Sequence, residues 1–149
     1  MSDKPLILSA PQPRSIDMIF TDQAKKDLFD RYDIVEAEPD DVASMSGDVL
    51  SKVRYVLGQP AIPSETLAKM DNLRAVLNVE SNLYPNMPYE TLFQRGIHTL
   101  TTGAVFAQPV AEIGLGFALS LLRNISGADQ DFRQGVGAWG FDGNKTARL

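Results

Sequence analysis

Residues 96–149 read GIHTLTTGAVFAQPVAEIGLGFALSLLRNISGADQDFRQGVGAWGFDGNKTARL. A β-like run, Ile97 to Thr101, enters a loop, and Pro109 is expected to open a long helix, since a missing N–H costs nothing at a first helical position. From Val110 to Leu122 the only charge is Glu112, and Val110, Ile113, Leu115, Phe117, Leu119, Leu121 and Leu122 leave no polar stripe. A helix that is apolar all round must be covered on more than one side. Running from Pro109 to Arg133 it would be roughly 37 Å long, about as wide as a domain of this size. The preceding residues are not expected to cover it alone, so a second domain, a second subunit, or both should pack on it.

Upstream, short apolar runs alternate with short helical patterns. The strands are expected at Pro5–Ser9, Asp33–Ala37, Val53–Leu57, Leu73–Val79 and Ile97–Thr101. Between them, Thr21 caps a helix over Ala24–Tyr32 with Leu28 and Phe29 facing inward. Pro39 opens a short helix over Val42–Met45, Ser64 caps one that ends near Asp71-Asn72, and Pro88 starts one that stops at Gly96. This alternation argues an α/β fold, a parallel sheet with helices on both faces. Right-handed crossovers then bring the carboxyl ends of the strands to one edge, beyond which ligands sit in such sheets. The loops at that edge are Ala10–Arg14, Gly58–Ile62, Glu80–Pro85 and Thr102–Gln108.

Composition removes several classes of function. The 149 residues carry a net charge of −5 with no Lys/Arg block, so nucleic acid is not an expected partner. No cysteine is present, which excludes disulfides, thiolate catalysis and Cys-ligated metals. The N-terminal apolar run, Leu6 to Leu8, is too short for a signal-peptide core. Val110–Leu122 is too short to span a bilayer and contains Gly114, Gly116 and Glu112. A cytoplasmic protein with no membrane contact is the expectation.

Gly135-Val136-Gly137-Ala138-Trp139-Gly140 matches the G-x-G-x-x-G pattern in letters only. A dinucleotide fingerprint needs a strand before it and a helix after it, so that helix N-terminal amides meet the pyrophosphate. Here a helix precedes and GFDGNK follows, which is the context of a turn. Trp139 is expected in an apolar interface. His98, the only histidine, lies inside the fifth strand and reads as structural; no catalytic residue and no metal set is argued around it. Glu112 reads as a first-turn carboxylate favoured by the helix dipole. The stretch Asn78-Val79-Glu80-Ser81-Asn82 leaves the fourth strand with amides and polar side chains able to hold a small anion or carboxylate, provided Glu80 turns its own carboxylate away. At Gly58-Gln59, a glycine permits close backbone approach and a glutamine offers a donor and an acceptor.

In order, these pieces resemble the N-terminal part of the D-isomer-specific 2-hydroxyacid dehydrogenases. The residues that carry the resemblance are Leu73–Val79 with its irregular loop, Gln94-Arg95-Gly96-Ile97, and Thr101-Thr102-Gly103. They continue in Val110-Ala111-Glu112 on a long Ala/Leu-rich helix, then Phe132-Arg133-Gln134-Gly135 and Trp139. The resemblance is strongest from 73 to 140. It implies a flavodoxin-like substrate-binding domain over 1–104, with five parallel strands in the order 2-1-3-4-5. Residues 105–149 would then be a long interdomain helix and Gly-rich tail leading to an NAD-binding Rossmann domain that is absent here. It also implies a 2-hydroxy or 2-keto acid held by Val79, Glu80, Ser81 and Asn82 with Gly58 and Gln59. Val105, Phe106 and Ala107 would approach the substrate and the nicotinamide of NAD or NADP, and a homodimer is expected. The family's catalytic Arg, Glu and His belong to the following domain, so this chain alone is expected to be inactive. Two features depart from the family. Its fourth-strand loop is commonly glycine-rich with an Asp, where this chain has Val-Glu-Ser-Asn, and His98 does not match its catalytic histidine. The alternative expectation is a complete, non-catalytic flavodoxin-like domain that binds a small molecule or self-associates through helix 109–133. A true flavodoxin is disfavoured, because Ala10-Pro11-Gln12-Pro13-Arg14 lacks a Ser/Thr-rich phosphate cradle.

Overall fold

The computed structural model describes residues 3–136. The chain forms two compact units, Met1–Ala104 and Val105–Leu149. The first is a five-stranded, all-parallel sheet in the order β2-β1-β3-β4-β5, with β1 at Leu6–Ala10, β2 at Asp33–Glu36, β3 at Val53–Gly58, β4 at Ala75–Leu77 and β5 at His98–Leu100. This is the flavodoxin-like order. Strands flanked on both faces read as continuous apolar runs, which is why LILSA and VRYVLG stand out in the sequence.

Alternation along the strands sorts the core into two clusters. Leu8, Ala10, Val56 and Val76 join Leu50, Leu67, Leu92 and Ile97. Ile7, Leu57 and Leu77 instead meet Ile16, Phe20, Leu28 and Tyr32. A register shift between Leu6 and Ile7 lets Val53 and Val56 share one face of β3 despite their odd spacing. Each fully buried aliphatic side chain contributes roughly 1.5–3 kcal/mol relative to exposure.

Helices fill the connections. α1 (Ile16–Ile19), absent from the sequence expectation, is capped by Ser15, whose hydroxyl accepts from the Met18 amide. α2 (Asp22–Arg31) is capped by Thr21, whose hydroxyl accepts from the Ala24 amide at 3.3 Å. Leu28 packs inward, but Phe29 is 43 % exposed. A 3₁₀ turn at Pro39–Ser44 precedes α3 (Gly47–Leu50), a helix absent from the sequence expectation. At α4 (Ser64–Leu67) the cap is Pro63 and Ser64 is already helical. α5 (Tyr89–Gln94) leads into β5 through Arg95-Gly96-Ile97, and each residue there has a structural task. The Arg95 guanidinium donates to Leu67 O at 2.9 Å and Met70 O at 2.8 Å, adding a second donor to carbonyls that also accept from the Met70 and Leu73 amides in the turn after α4. Gly96 adopts φ +70° to end the helix, and Ile97 is buried.

The second unit corrects four expectations. The long helix α6 spans Gly103–Leu122, so it starts six residues before Pro109, which sits inside it. Proline's fixed φ suits a helix; the costs are one missing N–H donor and crowding of its ring against the carbonyl four residues back, that of Val105. Glu112 is therefore in mid-helix, where it accepts from the Gln108 side chain at 2.8 Å, and the dipole reading does not hold. The helix also does not run on to Arg133. Asn124 takes a left-handed conformation, φ 50°, and α7 (Ile125–Arg133) begins after it; asparagine is among the few residues that tolerate this region. At 20 residues α6 has the length and composition of a membrane span, so the length argument drawn from Val110–Leu122 is withdrawn. It buries no side chain: Phe117 is 67 % and Leu121 80 % exposed. Trp139 and Gly137–Gly140 lie outside the described residues.

Candidate functional site

Pairing in the first unit sets three residues at one height, Leu57 opposite Leu77 and Leu77 opposite Leu100. Two residues further along each strand come Gln59, Val79 and Thr102, so three connecting segments open together at the carboxyl edge of β3, β4 and β5. Buried polar atoms collect there: the Asn78 amide, Gln59 Oε1 and Thr102 Oγ1, the last two without a protein partner. Asn78 is 3 % exposed, and its amide interacts with the Tyr89 hydroxyl, which donates to Tyr84 O at 2.6 Å. Unpaired buried polar groups cost about 1–3 kcal/mol each, and in native proteins they call for a ligand, a water or a catalytic role.

The 79–82 segment adds donors. Among the described residues, no amide from Val79 to Asn82 donates to a backbone carbonyl. Val79 is buried, Glu80 intermediate, and Ser81 and Asn82 exposed. The segment is anchored at both ends. Asn78 N–H donates to Leu100 O at 2.9 Å, and Thr102 N–H donates to Glu80 O at 3.2 Å. The Glu80 carboxylate accepts from Arg14 Nε at 3.0 Å.

Gly58 and Gln59 are positioned by the chain itself. Gly58 has φ +112°, and a Cβ there would stand 2.1 Å from Ala10 O. The space left by the missing side chain is thus occupied by the end of β1. Asn86, in the long β4–α5 connection, donates to Gln59 O at 2.7 Å, and its carbonyl accepts from Ile62 N–H at 3.0 Å. The segments after β3 and β4 are thereby tied to each other. Sequence reasoning named Gly58, Gln59 and 79–82 but missed Arg14, Asn86 and Thr102 as partners, because their roles depend on contacts across distant segments.

Val105, Phe106 and Ala107 lie in the first two turns of α6, in the second unit; Val105 is 70 % exposed and Phe106 partly buried. His98 is exposed at the start of β5, at the opposite end of that strand from Thr102. No group of three or more His, Asp or Glu suited to a metal ion occurs among the described residues. On the sheet face carrying Ile7 and Leu57 there is also an apolar groove of about 620 Å³, which ends at Asn78 and Thr102.

No protein-family profile and no curated protein sequence matches the chain. Solved structures do. A phosphoglycerate oxidoreductase from Rhizobium etli is 58 % identical over 98 % of this chain, with a TM-score of 0.80. An NADPH-dependent glyoxylate/hydroxypyruvate reductase from Sinorhizobium meliloti, solved with citrate, shares the fold at 22 % identity over 98 % of this chain, with a TM-score of 0.65. A 2-hydroxyacid dehydrogenase from Ketogulonicigenium vulgare does so at 21 % identity over 98 % of this chain, with a TM-score of 0.66. The chain spans 45 %, 44 % and 44 % of the lengths of these three proteins.

Proposed function

We infer, from a chain that has the fold of the D-isomer-specific 2-hydroxyacid dehydrogenases, that it supplies the substrate-binding part of an NAD(P)-dependent 2-hydroxyacid dehydrogenase. The observation that carries this reading is the set of unpaired buried polar groups and unengaged amides at the carboxyl edge of β3–β5. A small 2-hydroxy or 2-keto acid fits them. The amides of 79–82 donate to its carboxylate, and Gln59, held through Asn86, meets its remaining oxygen. The chain's own contribution is to fix the substrate so that its carbinol carbon has one orientation, which removes much of the entropic barrier to reaction. The nicotinamide, when bound, supplies the hydride acceptor or donor.

The described residues offer no glycine-rich turn between a strand and a helix, so NAD or NADP is held mainly by a Rossmann domain beyond this chain. Val105, Phe106 and Ala107 contribute at the start of α6. On this reading the protein is soluble and cytoplasmic, and α6 is covered by protein rather than lipid; the match of 98 % of this chain to a solved enzyme supports this.

The test is turnover. The protein that carries this chain is assayed with glyoxylate and hydroxypyruvate, with NADH and NADPH, beside the isolated 149 residues. Turnover by the former and none by the latter is expected. Turnover by the isolated chain, or none by the longer protein with any short 2-keto acid, contradicts the reading. A second reading, self-association without catalysis, draws on the exposed apolar surface of α6. It calls for a symmetric pair joined through α6, and a monomer in sedimentation at micromolar concentration removes it.

A further inference from the structure

Arg14 and Glu80 are 66 residues apart in sequence, yet their side chains meet at 3.0 Å in a part-buried contact. Arg14 follows β1 and Glu80 follows β4, and in the sheet order β3 lies between those strands. The pair therefore links the connections after β1 and β4, two strands that β3 separates. The Arg14 backbone is fixed for this. Arg14 N–H donates to Pro11 O at 3.1 Å, closing a turn, and the next residue, Ser15, caps α1. The end of β1 that carries the turn is seated against Gly58.

A carboxylate inside a segment proposed to hold a substrate carboxylate is a physical conflict, since like charges a few ångströms apart repel. We propose that Arg14 is a positioning residue that resolves it: its guanidinium cancels the charge of Glu80, turns that carboxylate toward β1, and leaves the 79–82 amides able to receive an anionic substrate. The proposal rests on the dehydrogenase reading and assigns a specificity role to a residue outside the substrate loop. Arg14 touches no substrate; it acts through Glu80. The pair is partly solvated, so the effect is moderate and sensitive to salt.

The experiment uses the full-length protein with glyoxylate or hydroxypyruvate and its preferred nicotinamide cofactor. Arg14→Met uncovers the Glu80 charge. The expected result is a KM for the keto acid raised on the order of three- to tenfold, with kcat falling by less than KM rises. Rising ionic strength should bring the variant's KM back toward that of the parent. Arg14→Lys should retain most of the parent KM, and Arg14→Met combined with Glu80→Gln should restore it, because no unpaired charge remains. Two results overturn the proposal: an Arg14→Met KM within twofold of the parent, or a double variant no better than Arg14→Met. A purely structural role for the pair would lower the melting temperature of both variants without rescue or salt dependence, and that outcome also counts against it. A parent protein without turnover overturns the dehydrogenase reading and this proposal with it; a parent with turnover and an unaffected Arg14→Met overturns this proposal alone.

Discussion

Gly58→Ala is the substitution whose cost follows most directly from the geometry. An added Cβ would stand 2.1 Å from Ala10 O, 2.4 Å from Ala10 C and 2.8 Å from Pro11 Cα. All three are backbone atoms, so no flexible side chain can swing aside. The backbone at φ +112° adds a strain of about 1–3 kcal/mol for any L-residue with a side chain. Relieving the overlap means separating Ala10 from its partner Gly58 at the end of the β1–β3 ladder. Overpacking of this kind costs about 1–3 kcal/mol, for a total of about 2–6 kcal/mol. For a unit of about a hundred residues that lowers the melting temperature by roughly 8 °C or more. Two other glycines serve as controls. Gly96 has φ +70° with no atom near its added Cβ, so Gly96→Ala should cost only the backbone strain, about 1–2 kcal/mol. Gly47 has neither strain nor a close neighbour, and Gly47→Ala should be neutral or stabilising by about 0.4–1 kcal/mol. Thermal and urea unfolding followed by circular dichroism should rank the three in that order. A Gly58→Ala protein melting within roughly 4 °C of the parent, the range of a neutral surface change, would refute the reasoning.

Arg95→Met keeps the aliphatic stem but removes the donors to Leu67 O and Met70 O; a loss of about 2–3 kcal/mol is expected in urea unfolding, and a loss under about 0.5 kcal/mol would show these bonds to be unimportant. Asn86→Ala releases Gln59 O, with an expected loss of about 1–2 kcal/mol. Its amide NMR spectrum should change at Gln59 and Ile62 before it changes in β1 or β2, and an unchanged Gln59 resonance would exclude the proposed tie.

Much of the first unit was legible because its determinants are local. LILSA, DIVE and VRYVLG announce strands by composition, Thr21 announces its cap by chemistry, and their alternation with short helices implies a parallel sheet. What was missed depends on distance. Arg95 was visible as part of a motif, but its bonds to Leu67 and Met70 cross 28 and 25 residues. Arg14 stood in a loop marked as ligand-facing, and nothing near it in sequence pointed to Glu80. Gly58 was singled out for close approach, and the structure supplies a neighbour, Ala10, from another strand. The helix start was misplaced because Pro109 resembles a first helical residue. In fact six helical residues precede it, and α6 tolerates the loss of one donor. The break at Asn124 had a signal in the weak helix formers Asn124 and Gly127, which was outweighed by the apolar run before them and the helix-compatible residues after them.

The most direct test of the account is a structure of the protein that carries this chain with glyoxylate or hydroxypyruvate bound. The account predicts the keto acid carboxylate within hydrogen-bonding distance of amides from Val79 to Asn82, with the Gln59 side chain turned toward it and Glu80 still paired with Arg14. A keto acid bound away from the carboxyl edge of β3 and β4, or a 79–82 segment that makes no contact with it, would contradict the account.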